Sequence, residues 1–191
     1  MPEPVSSLGA AGSPRTVLPK GVDAPGVRLS ERPVGTLWQV TAWPDGLAAA
    51  AEAVARAAKA EKAPGPRRAV EGAAALALRT DPLRWWLLSE QPRSRPELAA
   101  DAGTVLDLSH ARTRLRIEGP RRVDLLARLA AVDFRDGAFP EGSVATAPMH
   151  HVAVTVLARP GGTELFVQRT LARSVFEHIA EVAGQFGVEI A

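Results

Sequence analysis

The sequence predicts an α+β domain in which one order of elements runs twice: strand, helix, two-strand hairpin, helix, strand. Two clean periodicities and one repeat point to it. Residues 112–118 (RTRLRIE) alternate strictly, with Thr113, Leu115 and Ile117 on one face and Arg112, Arg114 and Arg116 on the other. That is the period of a strand. Leu171, Val175, Ile179, Val182 and Phe186 recur at i, i+4, i+8, i+11 and i+15, which is one face of a helix. Elements in the same order are readable in the first half of the chain, so the repeat is one of order, not of sequence identity.

Residues 1–25 are rich in Pro, Gly, Ser and Val without periodicity. They are expected to form a flexible arm, either a solvated tail or a segment extended across a partner chain. The domain itself is expected over 26–191, in halves of about 26–110 and 111–191. Residues 36–43 (TLWQVTAW) predict a strand, broken by Pro44-Asp45-Gly46. A helix follows over 47–60, with Leu47, Ala50, Ala51, Val54 and Ala58 at helical spacing. Pro and Gly make 61–71 a loop. Residues 73–79 and 83–89 predict a hairpin joined at Asp81-Pro82, then a short helix at 95–102 and a strand at 104–109.

In the second half, Gly119-Pro120 opens a helix with Pro at its first position. Val123, Leu126, Ala127 and Ala130 form one apolar row, with Leu125, Leu129 and Val132 beside it. Residues 133–148 read as a long loop. A hairpin of 152–158 and 163–168 turns at Pro160-Gly161-Gly162. Thr170 caps the last helix, Gly184 and Gly187 end it, and 188–190 closes the chain as a strand. Each half is thus expected to be the β-α-β-β-α-β unit of ferredoxin-like folds.

Composition narrows the chemistry. The net charge is +2 and the pI about 9.6. The two agree because the chain has no Cys or Tyr, and only Lys20, Lys59 and Lys62 are lysines, so little titrates between His and Arg. Acids are interleaved with the arginines, which argues against a nucleic-acid partner. Without cysteine there is no disulfide, thiolate metal site or cysteine nucleophile, and a cytoplasmic location is expected. No run of apolar residues is long enough for a membrane span, and the N-terminus has no secretory pattern.

His110, His150, His151 and His178 lack metal-ligand spacing; His150 and His151, at the start of a strand, are expected to point to opposite faces. No nucleophile elbow, phosphate loop or dinucleotide fingerprint occurs. Asp107, Ser109 and His110 invite a catalytic-triad reading. A strand would send His110 to the face opposite Asp107 and Ser109, so side chains bonding backbone at a strand end fit better. No catalytic, cofactor-binding or metal-binding residue is assigned.

Two features are candidate partner contacts. Arg112, Arg114 and Arg116 form a row that is either a solvated face balanced by Glu118 and Asp124 or a rim meeting a partner's carboxylates. A phosphate or a folate tail is a third ligand for that row. Trp85 and Trp86 are neighbours in a strand, so one faces in, and the outward ring needs a helix, the other half or a partner to cover it.

The run DLSHARTRLRIEGP at 107–120, followed by RRVDLLARLAAVDF and by FPEG at 139–142, resembles the gamma subunits of heterotetrameric sarcosine oxidases. It is similar, more distantly, to the folate-binding domain of glycine-cleavage T-proteins. The matching positions are Asp107-Leu108-Ser109, Arg112-Thr113-Arg114, Arg116-Ile117, Gly119-Pro120, Asp124-Leu125-Leu126 and Phe139-Pro140-Gly142. TDPLRWWLLSE and the C-terminal hairpin and helix resemble the same group, so the likeness covers roughly residues 26–186. It implies a T-protein-type α+β fold and a non-catalytic gamma chain beside alpha, beta and delta subunits. Those partners would carry FAD, FMN, NAD, tetrahydrofolate and zinc and demethylate sarcosine oxidatively to glycine. A folate-binding or aminomethyltransferase-like protein acting alone is the other reading.

Overall fold

The computed structural model describes residues 6–191. Its strands are β1 (Arg15–Val17), β2 (Val27–Arg32), β3 (Thr36–Ala42), β4 (Ala69–Glu71), β5 (Leu76–Asp81), β6 (Arg84–Ser89), β7 (Gly103–Asp107), β8 (Arg112–Glu118), β9 (Val144–Met149), β10 (Val152–Arg159), β11 (Gly162–Gln168) and β12 (Val188–Ile190). The α-helices are α1 (Leu47–Ala58), α2 (Arg122–Leu129) and α3 (Ala172–Ala183). The described residues form two compact units.

One unit comprises residues 34–111 and 142–145. Its sheet runs β4-β5-β6-β3-β7, antiparallel throughout. Helix α1 lies on one face because its buried side is small: Ala50, Ala53, Val54 and Ala58. They pack on Val40, Ala42, Ala77, Trp85, Leu87 and Val105 in one apolar cluster. Alanines let the helix approach the sheet closely enough for the large Trp85 ring to fill the space between them.

The other unit comprises residues 6–33, 112–141 and 146–191. Its sheet runs β1-β12-β2-β8-β11-β10-β9, with β2 and β12 parallel. Helix α3 buries Ala172, Val175, Phe176, Ile179 and Ala183 and packs on β11, β12 and α2. Leu29, Leu115, Ile117, Leu165 and Val167 are wholly buried in the same unit.

Several expectations are corrected. Residues 95–102 hold no helix, so the first half lacks the second helix of a β-α-β-β-α-β unit. Two indoles pin the backbone within and just before that stretch: Trp43 Nε1 donates to the Ala100 carbonyl at 2.9 Å and Trp38 Nε1 to the Arg93 carbonyl at 3.1 Å. Val27–Arg32 is a strand that pairs with β8 and β12, both late in the chain, so the sheets do not follow the order of the halves. Residues 144–148, expected as loop, belong to the edge strand β9, where Pro148 is tolerated because an edge needs no donor on its open side. Leu171 is 40% exposed rather than core, and Thr170 makes no cap hydrogen bond. Within the expected arm, Gly9–Gly12 form a 3-10 turn and β1 pairs with β12; residues 1–5 lie outside the described residues.

Candidate functional site

The arginine row of β8 is placed by register. Arg116 lies opposite Glu164 and Arg114 opposite Phe166 on β11, and Arg112 opposite Gln168. Arg114 takes Glu164 bidentately, Nε to Oε2 at 3.0 Å and Nη2 to Oε1 at 2.7 Å, and its Nη1 donates to the Pro33 carbonyl. Arg116 Nη1 is 3.5 Å from the same Glu164, its Nε is 2.9 Å from Glu118 Oε1, and its Nη2 donates to the Pro160 carbonyl at 2.8 Å. The Glu164 side chain is 3% exposed, Arg114 9% and Arg116 15%. Two guanidiniums and two carboxylates thus cancel, with most donors already engaged. Chemically this is a neutral, buried crosslink between β8 and β11.

Glu164 was not singled out in the sequence. Only half of its signal is local: one carboxylate in the largely apolar strand GTELFV, which the long-range pairing of β8 with β11 then brings beside the row. Glu118 pairs with Arg116 as the balanced-face reading expected, whereas Asp124 pairs with Arg121.

Trp85 is 1% exposed and Trp86 5%. Their rings face opposite sides of the sheet, and both sides are shielded there. Trp85 Nε1 donates to the Pro64 carbonyl at 3.3 Å, and Trp86 Nε1 to Gln39 Oε1 at 3.1 Å. The structure therefore does not gather the arginine row and the tryptophan pair into one exposed patch.

The motifs around the row have local work. Ser109 donates to Asp107 Oδ1 from both its N–H, at 2.8 Å, and its hydroxyl, at 2.6 Å, while Ser109 Oγ accepts the Leu37 N–H at 3.0 Å. The pair ties off the β3–β7 ladder. Gly119 has φ +106, and a Cβ there would meet the Gly26 carbonyl oxygen at 2.5 Å, so only glycine fits. Gly142, at φ +76, accepts the Ala69 N–H through its carbonyl at 2.7 Å.

His150 and His151 correct an expectation too. They are not in a strand but form the two-residue turn between β9 and β10, both left-handed at φ 46 and 65. Positive φ at both central residues is the signature of a type I′ hairpin, which normally selects Asn-Gly. The His150 ring stacks on His178 of α3, centroids 4.5 Å apart. Among the described residues no three His, Cys, Asp or Glu side chains stand together as metal ligands. A shallow cleft of about 500 Å³ lies between α1 and residues 95–99, lined by Glu52, Arg56, Arg95, Glu97 and apolar neighbours. Its charges alternate in sign, and no nucleophile stands beside a base in it.

No protein-family model matches the sequence, and no curated protein resembles it closely enough to match. Solved structures do. A chain of the heterotetrameric sarcosine oxidase from Corynebacterium sp. U-96, solved with pyrrole 2-carboxylate, matches with a TM-score of 0.72 at 21% identity. The match covers 86% of this chain and 88% of that one. The glycine cleavage system aminomethyltransferase T from Bartonella henselae matches with a TM-score of 0.53 at 14% identity over 87% of this chain. There the chain spans only 48% of its counterpart. No helix is long and apolar enough to cross a membrane. The likeness at these identities is one of fold, and the chain has the α+β fold shared by that sarcosine oxidase chain and by aminomethyltransferase T.

Proposed function

We propose that this chain is a non-catalytic, gamma-type subunit of a heterotetrameric sarcosine oxidase. It would support the oxidative demethylation of sarcosine to glycine by flavin-bearing partner chains in the cytoplasm. The observation that carries the reading is reciprocal coverage. The match to the sarcosine oxidase chain spans nearly all of both chains, so the two are close to the same length. The 107–142 motif run points to the same group from sequence. On this reading FAD, FMN, NAD, tetrahydrofolate and zinc belong to alpha, beta and delta partners.

Co-expression with alpha and beta chains of a sarcosine oxidase, followed by size-exclusion chromatography read at the flavin absorbance, tests the proposal. Co-elution of this chain with flavin and sarcosine turnover is expected. A chain that elutes alone as a soluble monomer while its partners assemble without it would defeat the proposal.

The likeness to aminomethyltransferase T favours a second reading, a folate-binding protein acting alone. The chain spans about half of that enzyme, which leaves the rest of a folate site to be found elsewhere. Calorimetric titration of the isolated chain with folinic acid separates the two readings, since micromolar binding favours the second.

A further inference from the structure

Strand β7 ends the five-stranded sheet, and the ladder shows which of its groups face outward. Leu108 N–H donates to the Leu37 carbonyl at 2.8 Å and Trp43 N–H to the Ala102 carbonyl at 2.9 Å. In this register the odd residues of β3 bond the even residues of β7. Alternation then turns the backbone groups of Gly103, Val105 and Asp107 away from β3, out of the sheet. The Gly103 N–H is taken by the Ala99 carbonyl at 3.3 Å. The N–H and C=O of Val105 and the N–H of Asp107 have no partner among the described residues.

The other sheet edges are guarded. Strand β9 carries Pro148, and β1 lies between Pro14 and Pro19. Strand β4 is covered, since Ala69 N–H donates to the Gly142 carbonyl at 2.7 Å and Val144 N–H to the Arg67 carbonyl at 2.9 Å. Proline, basic side chains, bulges and covering segments are how folded chains keep an edge from pairing with another chain. Strand β7, with sequence GTVLD and an unbroken register, carries no proline, basic residue or bulge. Leu106 stands on it 53% exposed, more than any other large apolar side chain among the described residues. It points away from α1, because its neighbour Val105 packs in the α1 cluster. Asp101 and Asp107 bracket the edge, both exposed. Asp107 holds Ser109 through Oδ1, and neither aspartate is in an ion pair among the described residues.

We infer that β7 is a docking edge for an extended segment of a partner protein, apolar on the Leu106 side and basic at both ends, which joins the sheet as a further strand. The inference deepens the proposed subunit role and rests on it for the presence of a partner. Two complementarities select the occupant. An open ladder accepts only an extended backbone, which supplies the hydrogen bonds that Val105 and Asp107 lack. The aspartates at the two ends select Lys or Arg at matching positions. A second copy fits less well. Pairing β7 with itself about Val105 would set Asp107 of each copy beside Gly103 of the other, close to Asp101, so that acid meets acid at both ends.

The test uses the full chain and the blocked peptide Lys-Val-Thr-Val-Thr-Val-Lys, read by amide hydrogen exchange in NMR. At saturating peptide the Val105 and Asp107 amides are expected to exchange about tenfold more slowly. The Thr104 and Leu106 amides, already bonded to β3, are expected to stay as they are. Proline in place of both threonines should abolish the protection, and glutamate in place of both lysines should weaken binding about tenfold. L106K, at an exposed position, should weaken binding about tenfold, whereas L171K, at an exposed leucine of the other unit, should not change it. Unprotected Val105 and Asp107 amides would overturn the inference, as would equal binding of the proline peptide, which marks mere stickiness at Leu106. Protection of Val105 that rises with chain concentration in the absence of peptide would assign the edge to a second copy and overturn it too. The titration needs no flavin-bearing chain. Peptide binding without co-elution of those chains would therefore sink the subunit role and leave the edge standing, and co-elution without peptide binding would do the reverse.

Discussion

Arg114 and Arg116 on β8 and Arg79 and Arg84 on the β5–β6 hairpin are the same residue type on antiparallel strands, yet their surroundings are opposite. The first pair shares Glu164 and has Glu118 in addition. The second has no carboxylate partner among the described residues and two buried Nε donors unmet. Arginine on a strand therefore says little about function until the register reveals what stands opposite. A row satisfied within its own chain works as structure, whereas a buried donor left unmet adds nothing to stability.

The sharpest way to break this contrast is Glu164→Leu. It leaves two nearly buried guanidiniums without their shared acceptor. Removing one member of a buried ion-pair network typically costs about 3–5 kcal/mol, because the remaining charges stay desolvated. Urea denaturation should show the midpoint falling with little change in slope. A loss under about 1 kcal/mol would mean that solvent already screens the cluster, and the contrast with the hairpin end would collapse.

Gly142→Ala comes next. Its φ of +76 is left-handed, and its carbonyl anchors the backbone just after Arg67 and Arg68. A Cβ there has room, its nearest neighbour being the Ala69 oxygen at 3.4 Å, so the cost is conformational. About 1–2 kcal/mol of destabilisation is expected, read as a drop in Tm. The F-P-x-G motif then acts by shaping the loop that holds the unpaired arginines. An unchanged Tm would remove that link.

Arg84→Gln should do much less. It deletes a charge whose Nε already lacks a partner, so stability should stay within about 0.5 kcal/mol of the parent or rise slightly. Together with Glu164→Leu it forms a matched test: two changes to strand arginine environments, one severe and one silent. A large loss at Arg84 would mean that an intramolecular acceptor forms in solution.

How much of this was legible beforehand differs from residue to residue. Strand β8 was readable to its ends because its alternation is strict and flanked by Gly119-Pro120. The β10–β11 hairpin was readable because Pro160-Gly161 marks the turn. SRPELAAD looked helical by local propensity, but the Trp43 indole, more than 50 residues away, claims its Ala100 carbonyl, and the Trp38 indole holds Arg93 just before it. Glu164 was invisible as the partner of the row for the same reason, since local periodicity does not supply the pairing of β8 with β11. Strand β9 hid behind Ala, Thr and Pro, which carry little strand signal at an edge. Sequence alone does not group the hairpin arginines, because Arg67 and Arg68 lie in a Pro- and Gly-rich stretch and Arg79 and Arg84 in separate strands.

The smallest effect comes from a third setting, in which arginine is paired but exposed. Arg135 holds Asp133 through its side chain at 2.6 and 2.9 Å and through its backbone N–H at 3.1 Å. Those hydrogen bonds hold the Asp133 carboxyl at about 2, below its ordinary 3.8. A depressed folded-state value means that the pair's stabilisation is fully present above the unfolded value. It fades as pH falls from about 3.8 through about 2, and it is absent once both states are protonated. Both groups are open to solvent, so salt should weaken the pair, as it should not weaken the Glu164 cluster. NMR titration of the Asp133 carboxyl should find its midpoint near 2, and R135Q should return it toward 3.8. A midpoint that ignores R135Q would show that the exposed pair does not persist in solution. Burial, rather than the presence of a carboxylate alone, would then be what makes an arginine in this chain a structural one.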